Sequence, residues 1–342
     1  MNSKLDFDGV RIPVSAENAV TVMTDILTAL GCDGATSESI ARHLADASLC
    51  SVESHGVMRI LQYARQFRSG YMLAGGEARV TKRNGQFLTI DGGGGHGIPA
   101  MELAFDTAIE VAVDTGMSVT AITNLGHTGR HGAFAELAAE AGMLSVLIGG
   151  GNRAIWRQVA PHGGAQAKLP TNPWCLGLPG GKNGPFILDF ATSTVAGGWI
   201  YAAESAGAHL PEGCLIDADG NPSTDPKAYF DGGAILPAAG QKGYALALAA
   251  ELIAEAVIGA VATEANWLLI MVDTTRMTVG HTLQERAEVI LADIRGCPPA
   301  PGFKRVEIPG ERERCIRDEA GGIIHIPEKT WTDILTLRDE LA

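Results

Sequence analysis

Residues 77–97, EARVTKRNGQFLTIDGGGGHG, decide the fold. Two short stretches, 77–82 and 86–90, flank Asn84-Gly85. That dipeptide suits a tight hairpin turn whose two central positions both take positive φ. The second strand runs into Asp91-Gly92-Gly93-Gly94-Gly95-His96-Gly97, and a helix is expected from Pro99 to Asp114. Gly92-x-Gly94-x-x-Gly97 spells the dinucleotide fingerprint G-x-G-x-x-G, with Asp114 seventeen residues past Gly97. In a Rossmann unit such glycines let a pyrophosphate approach the backbone. Against this, any four-glycine run satisfies the pattern, and a hairpin does not naturally continue into βαβ. Both readings stand at this point.

Outward from this stretch the chain is mostly helical on the N-terminal side. Helices are expected over 15–30, with Ser15 as N-cap and Gly31 as stop, and over 36–50. The polar segment 51–56 follows, then an amphipathic stretch through Tyr63 to Phe67. On the C-terminal side, strands at 118–123 and 144–148 bracket a helix at 133–141. A second hairpin, 174–178 and 186–190, surrounds Asn183-Gly184. Helices are expected at 244–258, 283–294 and 328–341, a strand at 267–272, and a proline linker at 297–301. The pattern is mixed α/β, and its two hairpins weigh against an all-parallel doubly wound sheet.

Composition narrows the function. The 342 residues carry a net charge of −13 with no basic run, which argues against nucleic acid as partner. Hydrophobic residues make up 46% and charged residues 19%, so a sizeable core is expected and disorder is not. The apolar stretch 243–262 contains Glu251 and Glu255, as a buried helix does and a membrane span does not. The first ten residues lack the basic and apolar regions of a secretory leader. Six scattered cysteines without a C-x-x-C pair fit a reducing cytoplasm.

Four polar clusters interrupt the apolar pattern. Ser54-His55-Gly56-Val57-Met58-Arg59 pairs a proton donor with a residue able to grip a carboxylate through two hydrogen bonds. Asn124-Leu125-Gly126-His127-Thr128-Gly129-Arg130-His131-Gly132 crowds two histidines and an arginine into one strand-to-helix loop. No carboxylate or cysteine nearby completes a metal ligand set, so no metal is expected there. Leu188-Asp189-Phe190-Ala191-Thr192-Ser193 ends an apolar strand with an aspartate that can orient a histidine or cap a helix. Gly240-Gln241-Lys242-Gly243-Tyr244 opens a helix with a lysine and free N–H groups, a candidate anion site.

With those clusters in order, the chain resembles the malate/L-lactate dehydrogenase family that includes sulfolactate dehydrogenase-like members. The matching stretches are SHGVMRI at 54–60, the turn at 91–97, NLGHTGRHG at 124–132, LPTNP at 169–173, ILDFATS at 187–193, LIDADGNPSTDP at 215–226, QKGYALAL at 241–248 and IPGERE at 308–313. The second cluster most resembles a hydroxycarboxylate dehydrogenase branch. The resemblance implies a mixed α/β fold with a non-Rossmann nicotinamide-binding domain and a largely antiparallel sheet, which reduces the glycine run to a structural turn. It places a cofactor domain at 117–282 within a helical substrate and dimerisation lobe formed by 1–116 and 283–342. It implies a cytoplasmic homodimer.

The roles it implies are these. His55 donates a proton to the substrate oxygen, oriented by Asp189 and Ser54, while Arg59 binds the substrate carboxylate. His127 lines the nicotinamide and substrate site and shares the claim to the acid/base role. Thr171 and Asn172 contact substrate or nicotinamide. Ala191, Thr192, Ser193, Lys242, Gly310 and Glu311 contact the cofactor, NAD or NADP. The implied reaction moves a hydride between NAD(P)H and a small 2-oxo or 2-hydroxy acid. The alternative is reduction of cyclic or N-substituted imino acids. Thr128 stands where many relatives carry Phe or Tyr. Arg153 and Arg157 are either a handle for a 2′-phosphate or plain surface charges.

Overall fold

The computed structural model describes residues 10–277 and 282–342. The first nine residues, read above as no leader, and 278–281, at the end of the expected cofactor domain, lie outside the described residues. In chain order the elements are β1 Arg11–Ser15, α1 Ala16–Ala29, α2 Gly34–Leu49, α3 Arg59–Arg68, β2 Arg79–Asn84, β3 Phe87–Asp91, α4 Gly97–Thr115, β4 Met117–Thr123, α5 His131–Glu140, β5 Met143–Gly151, β6 Trp174–Leu178 and β7 Phe186–Phe190. They continue as α6 Gly197–Ala206, β8 Leu215–Ile216, β9 Pro222–Ser223, α7 Lys227–Phe230, β10 Ala234–Ile235, α8 Gln241–Glu251, β11 Ala265–Asp273, α9 Leu283–Arg295, α10 Glu311–Ala320, β12 Ile323–Pro327 and α11 Glu328–Leu341.

The fold is mixed α/β around a seven-stranded mixed sheet of order β2-β3-β4-β11-β5-β6-β7. The chain divides into two units. One takes Ile148–Trp174 and Phe190–Leu268 with the described start of the chain; the other takes Ile12–Leu147, Cys175–Asp189 and Leu269–Ala342. These bounds differ from the single insertion expected over 117–282, because β4, α5 and most of β6 and β7 group with the second unit. No helix among the described residues is long and apolar enough to cross a membrane.

The first unit closes on a core of Val159, Leu169, Val195, Ile200, Leu215 and Ile235, beside a small sheet of order β10-β8-β9. Its α8 is followed by π-helical turns over Leu252–Ile258, where one uniform helix was expected. The Asn266 side chain takes the carbonyls of Ala254 and Gly259 and so ends this segment.

In the second unit, Ser15 caps α1 by accepting the Asn18 N–H, and Asp33 caps α2 by accepting the Thr36 N–H. Their inner faces bury Met23, Ile26, Leu27, Ile40 and Leu44. The β2–β3 hairpin is antiparallel, but Asn84 pairs with Phe87, so the loop is Gly85-Gln86. Only Gly85 has positive φ, +58°. Glycine at the first loop position suits the II′-type turn, which asks nothing left-handed of Asn84.

Contrary to expectation, the hairpin does continue into βαβ. β3 pairs in parallel with β4, from Phe87 opposite Val119 to Asp91 opposite Thr123, and α4 is the crossover. The glycine run between them nevertheless keeps its N–H groups for the protein. Gly92, Gly94 and Gly97 donate to the carbonyls of Thr123, Asn124 and His127, Gly95 donates to Gly92, and Gly93 donates to the Asp91 carboxylate. A Cβ on Gly97 would overlap the Gly126 and His127 carbonyls. The run therefore ties the end of β3 to the loop that carries His127.

Candidate active site

Ser54 and His55 lie in a short 3-10 turn between α2 and α3. Gly56 closes that turn against Ser48, whose hydroxyl accepts the Val57 N–H at 2.9 Å and leaves no room for a Cβ on Gly56. Ser54 Oγ sits 2.9 Å from His55 Nδ1. Arg59, first residue of α3, donates through Nε to the Ser54 carbonyl and through Nη1 to Gln62. One turn on, Tyr63 is fully buried, with its hydroxyl 2.7 Å from His127 Nδ1. His127 Nδ1 also accepts the Gly129 N–H at 3.2 Å, and the His127 ring stacks on His55 at 5.4 Å between centroids. The structure thus brings Ser54, His55, Arg59 and His127 together.

Asp189 is placed differently from expectation. Its Oδ2 accepts the Gly132 N–H at the start of α5 at 2.7 Å, and its Oδ1 lies 3.7 Å from His131 Nδ1. His131, buried, reaches Thr128 Oγ1 at 2.7 Å through its other nitrogen. Ser54 touches His55; Asp189 acts on it by charge. Burial pushes the His55 pKa down to about 3, the charges of Arg59 and His131 add to the effect, and Asp189 opposes it. Burial works against the Asp189 carboxylate, but His131, the Gly132 N–H and His55 outweigh it and hold its pKa below the usual value. His127 is also held well below its ordinary value, first by burial and then by Arg59, His55, His96 and His131. The sequence reading gave no role to Tyr63, His131 or His96, although His131 stood in plain view in the second cluster.

Arg130 does not face substrate. It is 6% exposed and bridges Asp46 at 2.7 Å and Glu136 at 3.5 Å. Arg317 joins the same two carboxylates at 3.1 Å each, and Arg314 lies 3.5 Å from Glu136. This network ties the 124–132 loop to α2, α5 and α10.

In the first unit, several expected contacts are committed to the protein itself. Asn172 is buried at a φ of +37°. It accepts the Gly151 N–H and donates to the Ala247 carbonyl and Glu251. Both of its amide N–H donors are spent on the protein. Thr192 donates its hydroxyl to the Thr171 carbonyl, and Ser193 donates to the Val195 carbonyl. Ala191 precedes them, half-buried. Lys242 is exposed at the start of α8. The N–H groups of Lys242, Gly243 and Tyr244 are not free: they donate to the carbonyls of Ala239, Ala238 and Gly240. Arg153 pairs with Glu251 and Glu255, at 3.2 and 2.6 Å, and Arg157 donates to the Arg153 carbonyl. In the second unit Gly310 sits at φ +88° against Ile187, and Glu311 is held by Arg295 at 2.6 Å.

A family profile for malate/L-lactate dehydrogenase matches residues 14–335. The chain belongs to the malate/L-lactate dehydrogenase family. Among similar family proteins, an L-lactate dehydrogenase of Cupriavidus necator is 32% identical, covering 96% of this chain and 97% of that protein. A Δ1-pyrroline-2-carboxylate/Δ1-piperideine-2-carboxylate reductase of Pseudomonas putida is 31% identical, with coverage of 91% and 93%. The solved structure of a sulfolactate dehydrogenase from Methanocaldococcus jannaschii matches with a TM-score of 0.84 at 29% identity, covering 96% of this chain and 97% of that one.

Proposed function

We propose that the protein is an oxidoreductase that interconverts small 2-oxo acids and 2-hydroxy acids using NAD(H) or NADP(H). Family membership supports the reaction class, and one observation carries the site: His55 lies against Ser54 and His127, under the charges of Arg59 and Asp189. Arg59 spends Nε and Nη1 on Ser54 and Gln62, which leaves Nη2 to grip a substrate carboxylate. His55, neutral before substrate binds, takes the hydroxyl proton in oxidation. In reduction it returns one from its charged form to the carbonyl oxygen.

The residues present fit a nicotinamide cofactor in part. The lack of a side chain at Gly243 lets the start of α8, which carries the exposed Lys242, approach the Thr192 carbonyl. Lys242 would hold a phosphate and Ala191–Ser193 would contribute main chain; the Thr192, Ser193 and Glu311 side chains are engaged elsewhere. When bound, the cofactor supplies or accepts the hydride. The family resemblance also supports a cytoplasmic homodimer and a non-Rossmann cofactor domain, with the glycine run as a structural turn.

A second reading is reduction of cyclic or N-substituted imino acids. The similarity to the Pseudomonas putida reductase favours it, as does a His55 held neutral, because a protonated imine brings its own proton. The test is oxidation of NADH and NADPH by purified protein against pyruvate, oxaloacetate, 2-oxoglutarate, phenylpyruvate, sulfopyruvate, pyrroline-2-carboxylate and piperideine-2-carboxylate. Turnover of a 2-oxo acid is expected. Turnover of imines alone would install the second reading, and silence without cofactor binding would remove both.

A further inference from the structure

His127 Nδ1 receives two donors. The Gly129 N–H can only donate, so Nδ1 carries a lone pair and the single proton of the neutral ring sits on Nε2. Tyr63 makes the shorter contact to the same nitrogen, 2.7 Å against 3.2 Å. The Tyr63 ring is held in turn. His96, 4% exposed, packs edge-to-face against it at 4.3 Å. His96 is fixed because its Nδ1 accepts the Ile98 N–H, and its Nε2 has no polar partner. An α3 side chain buried this firmly, with its hydroxyl on a site histidine, has more to do than fill a core.

We infer that Tyr63 is a positioning residue: with the Gly129 N–H it fixes His127 as the neutral Nε2–H tautomer, which makes His127 a hydrogen-bond donor to the substrate oxygen and leaves proton transfer to His55. The inference rests on the proposed reaction and assigns its two histidines. As hydride reaches the carbonyl carbon, the C=O π pair moves onto oxygen. The Nε2–H of His127 stabilises that charge without leaving its ring, since its loss would create an imidazolate. The proton that completes the 2-hydroxy acid comes from protonated His55, which becomes neutral and regains a proton from solvent. Arg59, His55, His96 and His131 all oppose a positive His127.

The experiment is two-bond 15N–1H spectroscopy of 15N-histidine-labelled full-length protein at pH 7, with His127 assigned through His127→Gln. The wild type is expected to show His127 protonated on Nε2 alone. Tyr63→Phe, which keeps the ring, should move the Nδ1 resonance toward that of an unbonded acceptor. It should also lower kcat for 2-oxo acid reduction about tenfold with little change in KM, the scale of an outer hydrogen bond to a site histidine. His127→Gln, which keeps an N–H near the Nε2 position, should retain about tenfold more kcat than His127→Ala. A doubly protonated or Nδ1–H His127 overturns the inference. So does a Tyr63→Phe protein with an unmoved resonance and wild-type kcat. Because the spectra need no substrate, a protein that reduces no 2-oxo acid fails the proposed reaction while the tautomer is still read.

Discussion

Burial drives the His55 pKa down and the Arg59 guanidinium adds to the effect, while the Asp189 carboxylate pulls the other way. A substrate carboxylate seated on Arg59 would offset the guanidinium charge and add to the pull of Asp189, against the burial and the His131 charge that keep His55 low. His55 should therefore take up a proton as the 2-oxo acid binds the cofactor-loaded protein. Calorimetric titration in buffers of different ionisation enthalpy reads this directly, and heats that ignore the buffer would sink the idea. Arg59→Gln should raise the KM for the oxo acid about 100-fold, because the charge-assisted grip through Nη2 is lost, with a smaller change in kcat. An unchanged KM would mean the carboxylate binds elsewhere. His55→Ala should cut ketone reduction by about 100-fold or more and imine reduction by less, since only the ketone needs its proton. Equal losses on the two substrates would remove His55 as proton carrier.

Among the elements, the loop between β4 and α5 shows how local sequence is overruled by packing. Arg130 and His131 sit in a glycine-rich loop beside His127, and in sequence they look like site residues. Only His131 faces the site, through Asp189, while Arg130 turns into the Asp46–Glu136–Arg314–Arg317 network. Those partners lie up to 187 residues away, so no spacing rule announces them. Glu136 is met by three guanidiniums, and Glu136→Gln would leave them with Asp46 as the remaining carboxylate of the network. Removing one partner from buried ion pairs costs on the order of 3 kcal/mol. Denaturant unfolding of the Gln variant should show a loss of that size, and a change below about 1 kcal/mol would mean the network does not anchor the loop. Many strands and helices were legible, because the caps at Ser15 and Gly85 in the hairpin act within a few residues, whereas α6, α10 and β12 carried no signal that was read. The parallel pairing of β3 with β4 was not, since it depends on where α4 returns the chain.

Taken as one molecule, the same divide governs what could be read. Ser54, His55, Arg59 and His127 are brought together as their motifs suggested, because each motif is a short turn whose geometry is local. The side-chain partners of Asn172 and Glu311 were not legible: Glu251 and Arg295 are set by tertiary packing. Buried neutral histidines are the other property that no motif reveals, and they set the acid stability of the whole chain. His43 accepts the Arg130 N–H and His96 accepts the Ile98 N–H, so both must stay neutral to keep their bonds. Burial pushes both down to about 3, from about 6.5 when unfolded. A histidine lowered on folding binds more protons in the unfolded chain, so stability is full above about pH 6.5 and is lost as pH falls toward 3. At pH 5 each should cost about 2 kcal/mol relative to pH 7. Asp46 and Asp189, held low in the fold, add their loss only below about pH 4, and Glu102 and Glu251, raised by burial, act in the opposite sense. His96→Asn isolates one histidine, since it keeps an acceptor for the Ile98 N–H and cannot titrate. Its unfolding free energy should fall about 2 kcal/mol less between pH 7 and pH 5 than that of the wild type. Parallel losses in the two proteins would show that His96 is protonated in the fold and that its bond to Ile98 does not hold.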